Sequence, residues 1–223
     1  MINTLLFIVL PYVVLVVMIL GSAYRYWSKG FKVSSLSSQF LEGKNLFYGS
    51  LPFHWGLVFL FFGHLIAFLF PRAVMIWNGM PIRLFILELS AFAFALLTLS
   101  GLLMLIIRRI STPRLWYVTN KMDLFVYLIL LLQIVSGIWI ALAFRWGSSW
   151  FASVLTPYLR SIFTFNPDIA AVSVMPFMVK VHIISAFILI GMIPFTRFMH
   201  FLVLPLAYIW RRYQLVIWNK RSI

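Results

Sequence analysis

Apolar residues run in stretches long enough to cross a lipid bilayer along most of this chain. The stretches cover residues 4–23, 51–70, 82–107, 122–144 and 176–209, and only histidines interrupt the second of them. A membrane-spanning helix needs roughly 18–20 apolar residues. The pattern therefore predicts an all-α integral membrane bundle of five transmembrane helices, formed by residues 1–223 as a single domain.

Composition agrees with a membrane protein and excludes a soluble one. Of the 223 residues, 64% are hydrophobic and only 10% are charged, whereas soluble domains carry about 25% charged residues. The chain has no cysteine. This excludes disulfides, covalently attached c-type haem and cysteine-ligated iron–sulfur clusters within this polypeptide.

The net charge of +14 is distributed by loop, which favours a topology signal over nucleic-acid binding. Thirteen Lys and Arg residues lie on one predicted side, after the first span, between the third and fourth, and near or beyond the end of the fifth. The opposite side has five: Arg72, Arg83, Arg145, Arg160 and Lys180. By the positive-inside rule, the amino terminus is expected outside and the carboxyl terminus in the cytoplasm.

All four histidines lie inside spans, where polar side chains are costly and are candidates for function. His54 and His64 belong to the second span, and His182 and His200 belong to the fifth. Two histidines on one helix share a metal ion when they are four residues apart. Ten residues of helix span roughly 15 Å and eighteen roughly 27 Å, so neither pair on one helix shares a metal.

The second and fifth spans are predicted to be antiparallel, so the histidines pair between helices. His54 and His200 fall toward the cytoplasm, and His64 and His182 toward the outside. Two cross-helix pairs at two depths are typical of two bis-histidine haems. The unequal spacings do not fit two straight helices, and Pro194 is well placed to bend the fifth span between its histidines.

The phases of the two helices also differ. Eighteen residues make five whole turns, which would put His182 and His200 on one face of a continuous helix, whereas His54 and His64 are about 80° apart. The two haems are therefore expected on different flanks of the second span.

Haem propionates need cationic partners, and three basic residues lie close to the histidines. They are Lys180, Arg197 and Arg109, which closes the third span. Each could form a charge-assisted contact with a propionate. The alternative for each is an ordinary interfacial charge.

The sequence resembles the gamma subunit, the cytochrome b, of respiratory nitrate reductases over nearly its whole length. The motifs that carry the resemblance are YRYW near residue 24, SSQFLE at 37–42, FHWG and GH at 53–64, RRISTPR at 108–114, KVH at 180–182, PFTRFMH at 194–200, LPLAY at 204–208 and RRYQLV at 211–216. By matching position, the resemblance implies that His64 and His182 hold a distal haem b and His54 and His200 a proximal one. It also implies that Arg109 contacts a haem propionate.

The resemblance implies a reaction and partners as well. Such subunits lie in the cytoplasmic (inner) membrane and oxidise a quinol, menaquinol or ubiquinol, near its outer face. Electrons pass inward through both haems to an iron–sulfur beta subunit and then to a molybdenum-containing alpha subunit that reduces nitrate.

This sequence departs from the family pattern at the start of the third span, where a lysine is tied to the quinol site in the family. The corresponding stretch is GMPIRLFILELS, whose ionisable residues are Arg83 and Glu88. We expect a quinol pocket bounded by Gly63, the outer haem, Arg83 and Glu88, with Glu88 as proton acceptor. The alternative is that Arg83 reaches the outer interface and Glu88 pairs with it.

Two other functions stay open from the sequence. One is a related cytochrome b of another cytoplasmic oxidoreductase, such as a nitrite oxidoreductase or a heterodisulfide-reductase-like complex. The other is a non-redox membrane anchor or transporter with structural histidines.

Overall fold

Helices long and apolar enough to cross a membrane form the framework of the chain. The computed structural model describes residues 1–29 and 41–202. Five helical segments in this part of the chain meet the length and hydropathy of a membrane span, and the described residues contain no strand. The prediction of an all-α bundle with five spans is confirmed.

The helices follow one another along the chain with short connections. The five spans are α1 (Ile2–Ser28), α2 (Lys44–Leu69), α4 (Pro81–Ser111), α5 (Lys121–Ala143) and α7 (Phe177–Met192), and shorter helices are α3 (Pro71–Asn78), α6 (Thr156–Phe163) and α8 (Met199–Leu202). Further helical turns occupy Pro113–Tyr117, Gly147–Trp150 and Ala170–Ser173. The second span thus begins seven residues earlier than predicted.

Local sequence signals set several helix starts. Proline is the first residue of α3 and α4, where its missing N–H leaves no intrahelical bond unmade. At the start of α5, the Asn120 side chain accepts from the Asp123 backbone N–H, and the Asp123 carboxylate accepts from the Asn120 N–H. This capping box satisfies two donors that a helix start leaves free.

Glycines allow α2 and α4 to pack closely. A Cβ atom added at Gly101 would lie 2.8 Å from the carbonyl oxygen of Gly49, and one at Gly56 would lie 2.7 Å from that of Phe94. Small residues at such crossings let helix backbones approach each other, which is how membrane helices gain packing energy.

Two buried apolar clusters hold the bundle together. One joins α2, α4 and α5 through Phe53, Leu102 and Ile134. The other joins α1, α5, α6 and α7 and includes Phe7 and Tyr158, whose hydroxyl donates to the Phe7 carbonyl oxygen at 2.9 Å. Outside these clusters, large apolar side chains are exposed along the spans, as expected of a surface that faces lipid.

The fifth span departs from the predicted continuous helix over 176–209. Helix α7 ends at Met192, a 3-10 turn occupies Ile193–Phe195, and Thr196 is extended before α8 begins. The physical reason is Pro194, which cannot donate to an earlier carbonyl. His182 and His200 therefore lie on separate helices, and the expectation of one shared helical face does not hold. Residues 203–209 lie outside the described part of the chain.

Candidate functional site

The structure brings the four histidines together in the two cross-helix pairs derived from the sequence. The imidazole ring centroids of His54 and His200 are 6.3 Å apart, with an angle of 63° between the ring planes. Those of His64 and His182 are 6.5 Å apart, with an angle of 35°. Both pairs join α2 to the fifth span, the first through α8 and the second through α7.

The ring separations fit two imidazoles that share one metal ion. Metal–nitrogen bonds of about 2.0 Å on opposite sides of an ion place the ring centroids roughly 6.3 Å apart. Among the described residues, no group of three or more His, Cys, Asp or Glu side chains could hold a metal. Each pair therefore suits a metal whose other ligands come from a cofactor, as haem iron receives four from its macrocycle.

Backbone hydrogen bonds orient three of the four rings. The Nδ1 atoms of His54 and His64 lie 2.8 Å from the carbonyl oxygens of Ser50 and Leu60, one helical turn before each histidine. Nδ1 of His200 lies 2.5 Å from the carbonyl oxygen of Arg197. A carbonyl can only accept, so Nδ1 carries the proton and Nε2 keeps the lone pair that binds a metal.

The fourth ring, that of His182, is oriented by the neighbouring helix α5. Its Nδ1 lies 3.0 Å from Ser136 Oγ, and its Nε2 lies 3.1 Å from the side-chain amide nitrogen of Gln133. The Ser185 hydroxyl donates to the Gln133 carbonyl oxygen. The ring also packs on Gly137, where an added Cβ would be 2.9 Å from His182 Cε1.

Sequence reasoning missed these supporting residues on α5. The available signal was the presence of Gln133, Ser136 and Gly137 in a span that is otherwise strongly apolar. Polar side chains inside a span are functional candidates by the same argument that singled out the histidines.

A cleft lies beside the His54 ring. It measures about 490 Å³ and its lining includes Phe47, Ser50, His54, Trp55 and Val58. Its walls are mainly aromatic and aliphatic, which suits a large apolar ligand.

Two of the predicted cations meet at a carboxylate that the sequence analysis did not select. Asp123 accepts from Arg197 Nε at 3.3 Å and lies 3.8 Å from an Arg109 terminal nitrogen. The Arg109 side chain is 7% exposed, donates to Thr119 Oγ1 at 3.1 Å, and lies over the Tyr127 ring. Its Nε is buried without a hydrogen-bond partner in the described part of the chain. A buried, unsatisfied guanidinium N–H fits an anionic group such as a carboxylate of a cofactor.

Lys180 is held by the backbone. Its Nζ donates to the carbonyl oxygen of Ser173 at 2.6 Å. The side chain is partly buried, two residues before His182 in α7.

The residues predicted for a quinol pocket do not meet at one point. Glu88 Oε1 accepts from the Ser148 backbone N–H at 2.8 Å and from the Ser148 hydroxyl at 2.6 Å. Arg83 lies over the Trp77 ring, 5.3 Å from its centroid. The ion pairs between described residues do not include one between Arg83 and Glu88.

Gly63 faces open space, since an added Cβ there would meet no atom within 4 Å. Glu88 instead lines a cleft of about 230 Å³ between α4 and α5. The walls of this cleft include Phe85, Phe92, Ala141, Arg145 and Trp146, and Gly63 is not among the residues that line it.

Comparison with known proteins agrees with this geometry. The sequence profile of the nitrate reductase gamma subunit matches residues 3–219. The chain belongs to this family. The nitrate reductase gamma chain of Bacillus subtilis (strain 168) is 32% identical over 218 residues, which cover 96% of each chain.

More distant relatives extend the comparison. The respiratory nitrate reductase 2 gamma chain of Escherichia coli (strain K12) is 28% identical over 219 residues, again 96% of each chain. The nitrate reductase-like protein NarX of Mycobacterium tuberculosis (strain H37Rv) is 27% identical over 231 residues, which cover this whole chain but only 34% of the relative. Members of the family are generally haem b cytochromes, the cofactor class that the histidine pairs fit.

Proposed function

We propose that this chain is the dihaem cytochrome b subunit of a nitrate reductase complex in the cytoplasmic (inner) membrane. It oxidises menaquinol or ubiquinol near the outer face and delivers the electrons to an iron–sulfur beta subunit and a molybdenum-containing alpha subunit. The observation that carries the proposal is the two cross-helix histidine pairs, with ring separations of 6.3 and 6.5 Å, in a chain of the gamma subunit family.

The four histidines are the proposed iron ligands. His54 and His200 hold the inner haem, and His64 and His182 hold the outer haem. When bound, each haem supplies a one-electron iron couple inside the membrane. The protein fixes the ligands beforehand, because the Nδ1 bonds of all four rings leave Nε2 as the metal-binding nitrogen.

Arg109 and Arg197 supply positive charge at the inner end of the bundle. They share one carboxylate, Asp123, so the three side chains together carry a net charge of about +1. The unpartnered Nε of Arg109 points to a further anionic partner. We assign these arginines to a propionate of the inner haem, and Lys180 to one of the outer haem.

The proposed direction of electron flow follows from the charge distribution. Thirteen of the 18 Lys and Arg residues lie on the side that the positive-inside rule makes cytoplasmic. Moving one electron inward against a potential of about 100 mV requires about 2.3 kcal/mol. The route conserves energy when the protons of the quinol leave on the outer side.

The quinol side is assigned to residues at the outer ends of α2 and α4. Glu88 is the proposed proton acceptor because its carboxylate lines a cleft and lies near the outer ends of α4 and α5. Arg83, on the Trp77 ring, and Gly63, with open space before it, are the proposed borders of the pocket.

A reduced-minus-oxidised absorption spectrum of the purified complex, with haem quantified against protein, tests the proposal. We expect two low-spin b-type haems per chain. His64→Ala and His182→Ala should each remove the outer haem and leave the inner one, and His54→Ala and His200→Ala should do the reverse. A chain without haem would refute the proposal, and two intact low-spin signals in any of these variants would refute the pairing.

A further inference from the structure

Helix α1 contacts the break between α7 and α8 directly. One terminal nitrogen of the Arg25 guanidinium donates to the carbonyl oxygens of Pro194 at 2.8 Å and Thr196 at 3.0 Å. One turn earlier in α1, a Cβ added at Gly21 would lie 2.9 Å from Pro194 Cγ. Glycine therefore lets α1 approach the proline, and arginine reaches the backbone just beyond it.

The two carbonyl oxygens need a donor because the break redirects their usual partners. In a continuous helix, the N–H of Phe198 would donate to Pro194, but it donates to Thr196 Oγ1 at 3.3 Å. The N–H of His200 would donate to Thr196, but it donates to the carbonyl oxygen of Arg197 at 3.2 Å. Unsatisfied carbonyl groups are costly within a membrane protein, where water is scarce.

The same break determines where His200 lies. Thr196 is 7% exposed and its hydroxyl donates to the carbonyl oxygen of Met192 at 2.8 Å, which joins the end of α7 to the start of the next turn. His200 follows four residues later, with its Nδ1 on the Arg197 carbonyl oxygen. The position of its ring, 6.3 Å from that of His54, depends on the path of the backbone through residues 194–197.

We propose that Arg25 is a positioning residue for the inner haem ligand His200, acting through the carbonyl oxygens of Pro194 and Thr196. The inference rests on the proposed function. A guanidinium suits the task because each of its terminal nitrogens has two N–H groups and keeps its charge at any physiological pH. The role is distinct from the contribution of Arg25 to membrane topology, which any basic residue could make.

The test compares Arg25→Ala and Arg25→Lys with the unmodified chain in the assembled complex. Both variants should keep the outer haem, which is the internal standard for folding. In Arg25→Ala the low-spin signal of the inner haem should be lost or changed in its electron paramagnetic resonance spectrum. In Arg25→Lys the inner haem should be retained, with a reduction potential displaced from that of the unmodified chain, because an ammonium group can keep the charge without the same pair of bonds.

Arg72→Ala is the matched control, since Arg72 is an exposed arginine of α3 without a described partner. It should leave both haems unchanged. An unaltered inner haem in a folded Arg25→Ala chain would overturn the inference while the proposed function stood. If Arg25→Ala does not accumulate, an inner haem in Arg25→Lys with unaltered spectrum and potential overturns it equally. An unmodified chain without two haems would instead refute the proposed function.

Discussion

Gly137 offers a sharp test of the outer histidine pair, because its missing side chain makes room for the His182 ring. A Cβ at residue 137 would lie 2.9 Å from His182 Cε1, and ordinary contacts begin at 3.4 Å. The ring must therefore move by about 0.5 Å, or 3.4 minus 2.9, in Gly137→Ala. Ligand distances in metal sites hold within about 0.2 Å, so this displacement exceeds what the site tolerates.

We expect Gly137→Ala to lower the content of the outer haem or shift its low-spin spectrum, with the inner haem unchanged. Haem content from the absorption spectrum and the electron paramagnetic resonance signals of the two haems measure this. Gly191→Ala is the control, because its added Cβ would meet only a Val14 methyl group at 3.3 Å. An unaltered outer haem in a folded Gly137→Ala chain would show that the His182 ring does not hold the metal in this position.

Four further changes test other parts of the site and the fold. Ser136→Ala removes the acceptor of the His182 Nδ1–H, which makes the imidazole a weaker donor, and should raise the potential of the outer haem by tens of millivolts in a redox titration, since a hydrogen bond contributes about 1 kcal/mol. Asp123→Asn removes a negative charge beside the two inner arginines and should raise the potential of the inner haem in the same titration; an unchanged value would separate this cluster from the haem. Glu88→Gln should slow reduction of the haems by quinol but not by dithionite, and unaltered quinol kinetics would remove Glu88 from the reaction. The pKa of Glu42 is lowered from 4.5 by the Asn45 backbone N–H and by Arg108, so its stabilising effect is present above pH 4.5 and is lost as the pH falls through the lowered pKa; the difference in thermal unfolding between the unmodified chain and Glu42→Gln should vanish on the same path.

The sequence was sufficient to predict the spans and the histidine pairs because both depend on features local to one helix. A run of apolar residues identifies a span wherever it lies in the chain. The order of the spans then makes the second and fifth antiparallel, which gives the partners of His54 and His64.

The supporting residues could not be predicted because each acts on a segment far away in the sequence. Arg25 reaches carbonyl groups that are 169 and 171 residues further along the chain. Ser136 contacts a histidine 46 residues away. Such contacts depend on which helix faces meet, and apolar spans with little amphipathic pattern do not indicate their faces. Arg25 thus resembled any other basic residue beside a span.

The break in the fifth span accounts for the unequal spacing of the histidines. His54 and His64 are ten residues apart on α2, a rise of about 15 Å. From His182 to the last residue of α7, Met192, is also ten residues of helix, so α7 covers the same depth as the two histidines of α2. The remaining eight residues to His200 form a 3-10 turn, an extended residue and the start of α8, and they bring its ring beside His54. A continuous helix would carry His200 about 12 Å further along the axis, and one haem could then no longer be held by both rings. A spacing of eighteen residues therefore requires the break at Pro194, and Pro194→Ala, by favouring a continuous helix, should separate the inner pair before it disturbs the outer one.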